Sequence, residues 1–66
     1  MQVIVNGQPR TLADDCSIEA LLRTLELEPR HVAVEVNLQL VPRQQHAQHR
    51  LKEGDRLEVV TLVGGG

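Results

Sequence analysis

The sequence contains no phenylalanine, tyrosine or tryptophan. Without flat side chains there is no platform on which bases can stack, which counts against single-stranded nucleic-acid binding. The same absence leaves the core to be built from valine, leucine and isoleucine. Cysteine is almost as scarce: with Cys16 alone, neither an intrachain disulfide nor a paired-cysteine zinc site is available. An unstapled fold of this kind points to a reducing compartment. There is no excess of positive charge, since 7 Lys and Arg face 9 Asp and Glu, and this argues against a general phosphate-binding surface. No apolar run approaches membrane-spanning length, and the opening MQVIVNGQPR lacks the basic-then-apolar pattern of a secretion signal. The expectation is a soluble, cytoplasmic chain with neither nucleic acid nor membrane as a partner. Its 66 residues leave room for one domain, near the lower limit for folding without a staple.

What is present follows two periodicities. MQVIV is short and β-branched, and Asn6-Gly7 after it is a strong hairpin signal. As a strand it places Met1, Val3 and Val5 on one face and Ile4 on the other. Pro9 to Ala13 is the expected second strand, with Leu12 inward. The period then changes: Ile18, Leu21, Leu22 and Leu25 predict an amphipathic helix of about three turns. Ser17 is its expected N-cap, and Glu28-Pro29 its expected end. Alternation returns with Val32, Val34 and Val36 inward. A short strand around Leu40-Val41 and a brief helical turn after Pro42 are possible readings of the next stretch. Lys52 to Asp55 reads as a turn and Leu57 to Val63 as the last strand, with Leu57, Val59 and Val63 inward.

One helix cannot bury its apolar stripe alone, and a small mixed sheet is its natural partner. The predicted fold is therefore α+β: a β-grasp domain over residues 1–63, with four or five strands packed on one main helix. Residues 64–66 form a glycine tail. Gly64, Gly65 and Gly66 add nothing to a core. They are either a frayed end or an arm that presents its terminal carboxylate.

The first and last strands resemble those of the ubiquitin-like superfamily. Within it, the stretch AVEVNLQLVPRQQHAQHRLKEGDRLEVVTLVGGG is similar to the ThiS family of bacterial sulfur carriers in thiamine biosynthesis. The similarity lies in Val36-Asn37, Val41-Pro42-Arg43, the polar Gln44 to His49, Glu53-Gly54-Asp55, and Leu57 to Gly66. It covers essentially the whole chain. His46 stands near a place where the family often has an aromatic residue, and the third glycine is an addition.

The resemblance implies a role and its chemistry. An E1-like, ThiF-type adenylyltransferase would use ATP to form an acyl-adenylate at the Gly66 carboxyl. A sulfur donor such as a cysteine desulfurase would then displace AMP to leave a thiocarboxylate, which would pass its sulfur to a ThiG-type thiazole synthase. In this reading the chain is not an enzyme: it supplies no catalytic residue and holds no metal or cofactor, the ATP being used by the activating enzyme. Three extended glycines reach about 10 Å, and without Cβ atoms they can thread a narrow channel.

The remaining candidates are assigned by surface logic. Ile4, Val60 and Leu62 would form an apolar patch on the solvent face of the sheet, with Ile4 near Val60, and are read as a partner-docking surface. Cys16, beside Asp14 and Asp15 and without a histidine placed against it, is read as a passive, partly buried residue. His31, His46 and His49 lack carboxylate or thiolate support for a metal and are read as solvated surface. Arg43 has two open readings, a structural hydrogen bond or a partner contact. The competing functions are the small subunit of molybdopterin synthase, a protein modifier joined to lysine, and a β-grasp interaction module with an inert end.

Overall fold

A computed structural model describes residues 1–62. Strands β1 (Gln2–Val5) and β2 (Gln8–Thr11) form the expected hairpin. Asn6 and Gly7 both adopt positive φ, 51° and 81°, as a two-residue type I′ turn requires. Helix α1 (Ile18–Thr24) follows, then β3 (Val32–Val36), β4 (Gln39–Val41) and β5 (Arg56–Thr61). The five strands form one sheet in the order β2-β1-β5-β3-β4, in which β1 and β5 run parallel and the other neighbours antiparallel. Short 3-10 turns at Pro29–His31 and Arg43–Gln45 complete the chain. The expectations for Val63 and for the tail, Gly64 to Gly66, lie outside the described residues.

The core forms where α1 covers one face of the sheet. Ile18, Leu21 and Leu22 are buried against Val3, Val5, Val32, Val34, Val36, Leu57 and Val59, the inward residues of β1, β3 and β5. Each such side chain contributes roughly 1.5–3 kcal/mol of transfer free energy. Leu12 and Cys16 are half-buried at the margin. Leu51, one aliphatic residue in a polar stretch, is also buried. The amino end of α1 is fully capped. Ile18 N donates to His49 O at 3.1 Å and Glu19 N to His46 O at 3.1 Å. Ala20 N donates to the Ser17 hydroxyl at 3.1 Å, and Leu21 N to Ser17 O at 3.0 Å. The N–H groups of Ile18, Glu19 and Ala20, which have no intrahelical partners, are thus satisfied by the cap residue and by the segment that ends at Leu51, and Leu21 N makes the first intrahelical bond.

Three expectations are corrected here. The helix stops at Thr24, before the predicted end at Glu28-Pro29. Glu26 takes φ 60°, Glu26 N donates to Arg23 O at 3.0 Å and Leu27 N to Leu22 O at 2.9 Å. This is a Schellman ending with glutamate in the left-handed position that glycine usually fills. Glu26→Gly should therefore raise stability by about 0.5–1 kcal/mol, read as a rise of roughly 3–6 °C in a thermal melt.

The second correction concerns His46, which is buried and not solvated, with 3% of its surface exposed. Its Nε2 lies 3.0 Å from Val41 O. A carbonyl only accepts, so Nε2 carries the proton, and Nδ1 is left buried with no partner. His31 is exposed and His49 half-exposed. Third, β2 is shorter than predicted, ending at Thr11.

Candidate docking face and tail exit

The last strand, β5, directly precedes the carboxyl-terminal segment of the sequence. β5 is the centre of the sheet, flanked by β1 on one side and β3 on the other. Its pairing to β3 runs the full length of β3, from Val36 opposite Leu57 to Val32 opposite Thr61. Leu62 N donates to His31 O at 2.7 Å, one step past the strand. On the other flank β1 is shorter, and its last step is made by a side chain. The Asn6 amide donates to Val59 O at 3.0 Å through Nδ2, and its Oδ1 accepts from Val59 N at 2.8 Å. A carboxamide has one donor and one acceptor side by side, as a peptide group does, so Asn6 extends the parallel pairing after the main chain has turned away.

A second asparagine fixes the other end of β5. Asn37 opens the β3–β4 turn with φ 52°, followed by Leu38 at φ 71°. The Asn37 Oδ1 accepts from Arg56 N at 3.0 Å, and its Nδ2 donates to the Asp55 carboxylate at 3.0 Å. Asp55 also accepts from Lys52 N at 2.8 Å. The Val36-Asn37 and Glu53-Gly54-Asp55 segments, far apart in sequence, therefore form one hydrogen-bonded corner, with Gly54 at φ 85° making the turn possible.

The face of the sheet away from α1 is open. Val60 and Leu62 are 56% and 53% exposed, while Ile4 is half-buried. The three share this face, as alternation requires, but not one patch. The parallel register places Ile4 opposite Arg56, and Val60 stands opposite Ala33. Four residues of strand, about 13 Å, separate the level of Ile4 from that of Val60. The expected neighbourhood of Ile4 and Val60 is thus corrected: sharing a face did not fix the register. Ile4 instead lines a hollow of about 400 Å³ with Gly7, Asn37, Leu38, Arg56, Leu57 and Glu58. Val60 and Leu62 lie toward the carboxyl end. There a second, more open hollow of about 470 Å³ is bordered by Glu26, Leu27, Glu28, His31, Val32, Thr61 and Leu62.

Two exposed leucines escaped the sequence reading. Leu40 on β4 lies opposite Glu35, and Leu38 at the turn is 89% exposed. Cys16 is half-buried, its thiol 3.5 Å from Ser17 O. Arg43 is exposed and makes no side-chain hydrogen bond among the described residues. Among those residues no three His, Cys, Asp or Glu side chains converge as metal ligands, and no helix is long and apolar enough to cross a membrane.

A five-stranded mixed sheet on one helix, whose central strand runs out toward a glycine terminus, defines a ubiquitin-like β-grasp protein. The sequence profile of the ThiS family matches residues 3–66, and the chain belongs to that family. It is 33% identical to the sulfur carrier protein ThiS of Escherichia coli over the whole length of both chains. The crystal structure of the thiamine biosynthesis protein ThiS from Geobacter metallireducens superposes with a TM-score of 0.85 at 32% identity, each chain fully covered. The chain is also 42% identical over its whole length to a thiazole synthase of Paramagnetospirillum magneticum, of which it spans 20%. A thiazole synthase of Magnetococcus marinus shows the same proportion, 20%, at 38% identity.

Proposed function

We propose that this chain carries sulfur on its carboxyl terminus for construction of the thiamine thiazole ring. The observation that carries the reading is the extent of the family match, which runs from the first strand through Gly66. The Gly66 carboxylate attacks the α-phosphorus of ATP in the active site of a ThiF-type adenylyltransferase, and pyrophosphate leaves. The mixed anhydride makes AMP a leaving group, which a carboxylate oxygen by itself is not. Sulfur from a donor such as a cysteine desulfurase displaces AMP and remains as the thiocarboxylate. That sulfur then passes to thiazole synthase, and the carboxylate is restored for another cycle.

In this scheme the chain is a co-substrate. Its residues bind and position; ATP and the groups that handle it belong to the partner. The contribution of the fold is to hold β5 from both flanks, close to the exposed Val60 and Leu62. These two side chains, with Ile4 further along the same face, are the surface on which a partner settles. The likeness to segments of thiazole synthases supports that enzyme as one such partner.

Intact-mass measurement tests the reading directly. The purified chain is incubated with ATP, the host's ThiF-type enzyme and a sulfur donor. The expected result is a mass gain equal to replacing one oxygen with sulfur, absent when ATP is withheld and absent when Gly66 is deleted. No gain, with the enzyme active on another carrier, would overturn it.

A further inference from the structure

The sequence holds a single lysine, Lys52, against six arginines, and the fold places that lysine at the end of the sheet remote from Leu62. Lys52 is exposed in the turn before β5, where its O accepts from Asp55 N at 3.0 Å. The Met1 amino group lies at the same end, because β1 runs parallel to β5 with Ile4 level with Arg56. It is held by Leu12 O at 2.7 Å and by the Asp14 carboxylate at 3.2 Å. Cys16 O accepts from Leu51 N at 2.8 Å, so the half-buried thiol belongs to that end as well. From Arg56 to Leu62 the strand direction covers about 20 Å. The four residues that follow Leu62 in the sequence span at most about 14 Å, short of the level of Arg56. Beside Leu62 the arrangement is different. His31 O accepts from Leu62 N at 2.7 Å, and the adjoining Arg30 is exposed. A guanidinium group holds its proton and delocalises its nitrogen lone pairs, so it does not attack acyl carbons. His31 is exposed there too, but an acyl-imidazole reacts with water to return the carboxylate and leaves no adduct.

We propose that this placement protects the chain from acylating itself, and that position 30 is a latent site of self-acylation kept silent by its arginine. The inference rests on the sulfur-carrier reading, which supplies the activated carboxyl, and adds a selectivity for sulfur over nitrogen. An acyl-adenylate or thioester at Gly66 is open to any amine within reach. The amine nitrogen attacks the Gly66 carbonyl, and a C–N bond forms as the bond to AMP or thiolate breaks. The leaving group departs with the electron pair, and the nitrogen gives up one proton to water. The product is an amide, which another round of activation does not reverse, so one such event retires the carrier. Reach sets the rate of this reaction. A nucleophile on a short tether acts at an effective concentration on the order of millimolar, far above that of a dilute protein. Arginine at position 30 keeps a positive charge beside Leu62 without supplying the nucleophile.

The test bypasses the activating enzyme. The full chain is prepared with a thioester at Gly66, as the parent, as Arg30→Lys and as Arg10→Lys. Arg10 is exposed and pairs with Val3, at the end of the sheet remote from Leu62, so the two variants add the same group at different distances. Each is held at mildly alkaline pH and dilute concentration, and intact mass is followed. The parent and Arg10→Lys should return the free carboxylate. Arg30→Lys should give a product lighter than its carboxylate form by one water, in at least about 10-fold greater yield than Arg10→Lys. Peptide mapping should place the new amide between position 30 and Gly66. Thermal melts of the carboxylate forms should coincide, which shows that all three are folded. Water loss in the parent, equal water loss in the two variants, or none in Arg30→Lys would each overturn the proposal. The sulfur-carrier reading is judged separately by the mass gain of the parent with ATP and enzyme, so the two can fail independently.

Discussion

Replacing Gly66 with alanine should lower the rate of thiocarboxylate formation by about 100-fold, equivalent to roughly 2.7 kcal/mol of barrier, without changing the melting temperature. In the proposed function the reacting carboxyl belongs to Gly66 itself, and its approach to the α-phosphorus of ATP would have to be closely aligned. A Cβ on the adjoining carbon crowds both the adenylation and the later attack of sulfur on the same carbonyl. It also narrows the backbone conformations open to the last residue. Gly65→Ala places its Cβ one residue further from the reacting carbon and should cost less, about 10-fold. The rate of mass gain at saturating enzyme measures both. Because residues 1–62 supply the whole described core, the unfolding transitions of these variants should overlay that of the parent. Unchanged charging rates in both would remove the argument for steric threading.

The second large effect falls on stability. His46→Ala should destabilise the domain by about 3 kcal/mol, a large part of the roughly 3–10 kcal/mol expected of a domain this small. The ring is buried, and its Nε2 holds the Val41 carbonyl. Alanine leaves a cavity and an unpaired acceptor together. The neighbourhood makes the loss worse, since the main chain of the same segment caps α1 through His46 O and His49 O. His46→Phe should cost no more than about 1 kcal/mol, because a ring still fills the space and the buried, unpartnered Nδ1 disappears. Urea unfolding of the two variants beside the parent gives the comparison. Equal losses for alanine and phenylalanine would show that the hydrogen bond, and not the ring, supports the segment.

Much of this fold was legible because local chemistry and global packing agree. Asn6-Gly7 demands a hairpin, Ser17 marks the start of α1, and the alternation of Val32, Val34 and Val36 selects the buried face of β3. The misreadings share a physical cause, which is that the usual residue is missing from the expected place. Glutamate occupies the left-handed position that ends α1, so the helix looked longer than it is. Leu38 occupies the second turn position between β3 and β4, where glycine would have announced a hairpin. A histidine stands where burial favours a ring, and its polarity pointed outward. Leu51 belongs to neither periodicity, so its burial depends on contacts that only the folded chain makes. The residues of the open face were identifiable from alternation. Their mutual distances were not, because the register of β1 on β5 is set by hydrogen bonds such as Ile4 N to Asp55 O at 2.9 Å and Asn6 N to Leu57 O at 2.9 Å. The glycine terminus was legible as composition, and it lies within the residues that the family profile matches.

The pair of hydrogen bonds between the Asn6 carboxamide and the Val59 main chain has a mechanical meaning. In the proposed function, a terminus drawn into the activating enzyme would pull on the strand that bears it, along the strand axis. With β3 paired over its full length on one flank and β1, prolonged by Asn6, on the other, that pull loads many transverse hydrogen bonds together in shear. A strand held at one edge would instead unzip one bond at a time. In that reading the domain serves as an anchor in which the load falls on the hydrogen bonds along both flanks of β5.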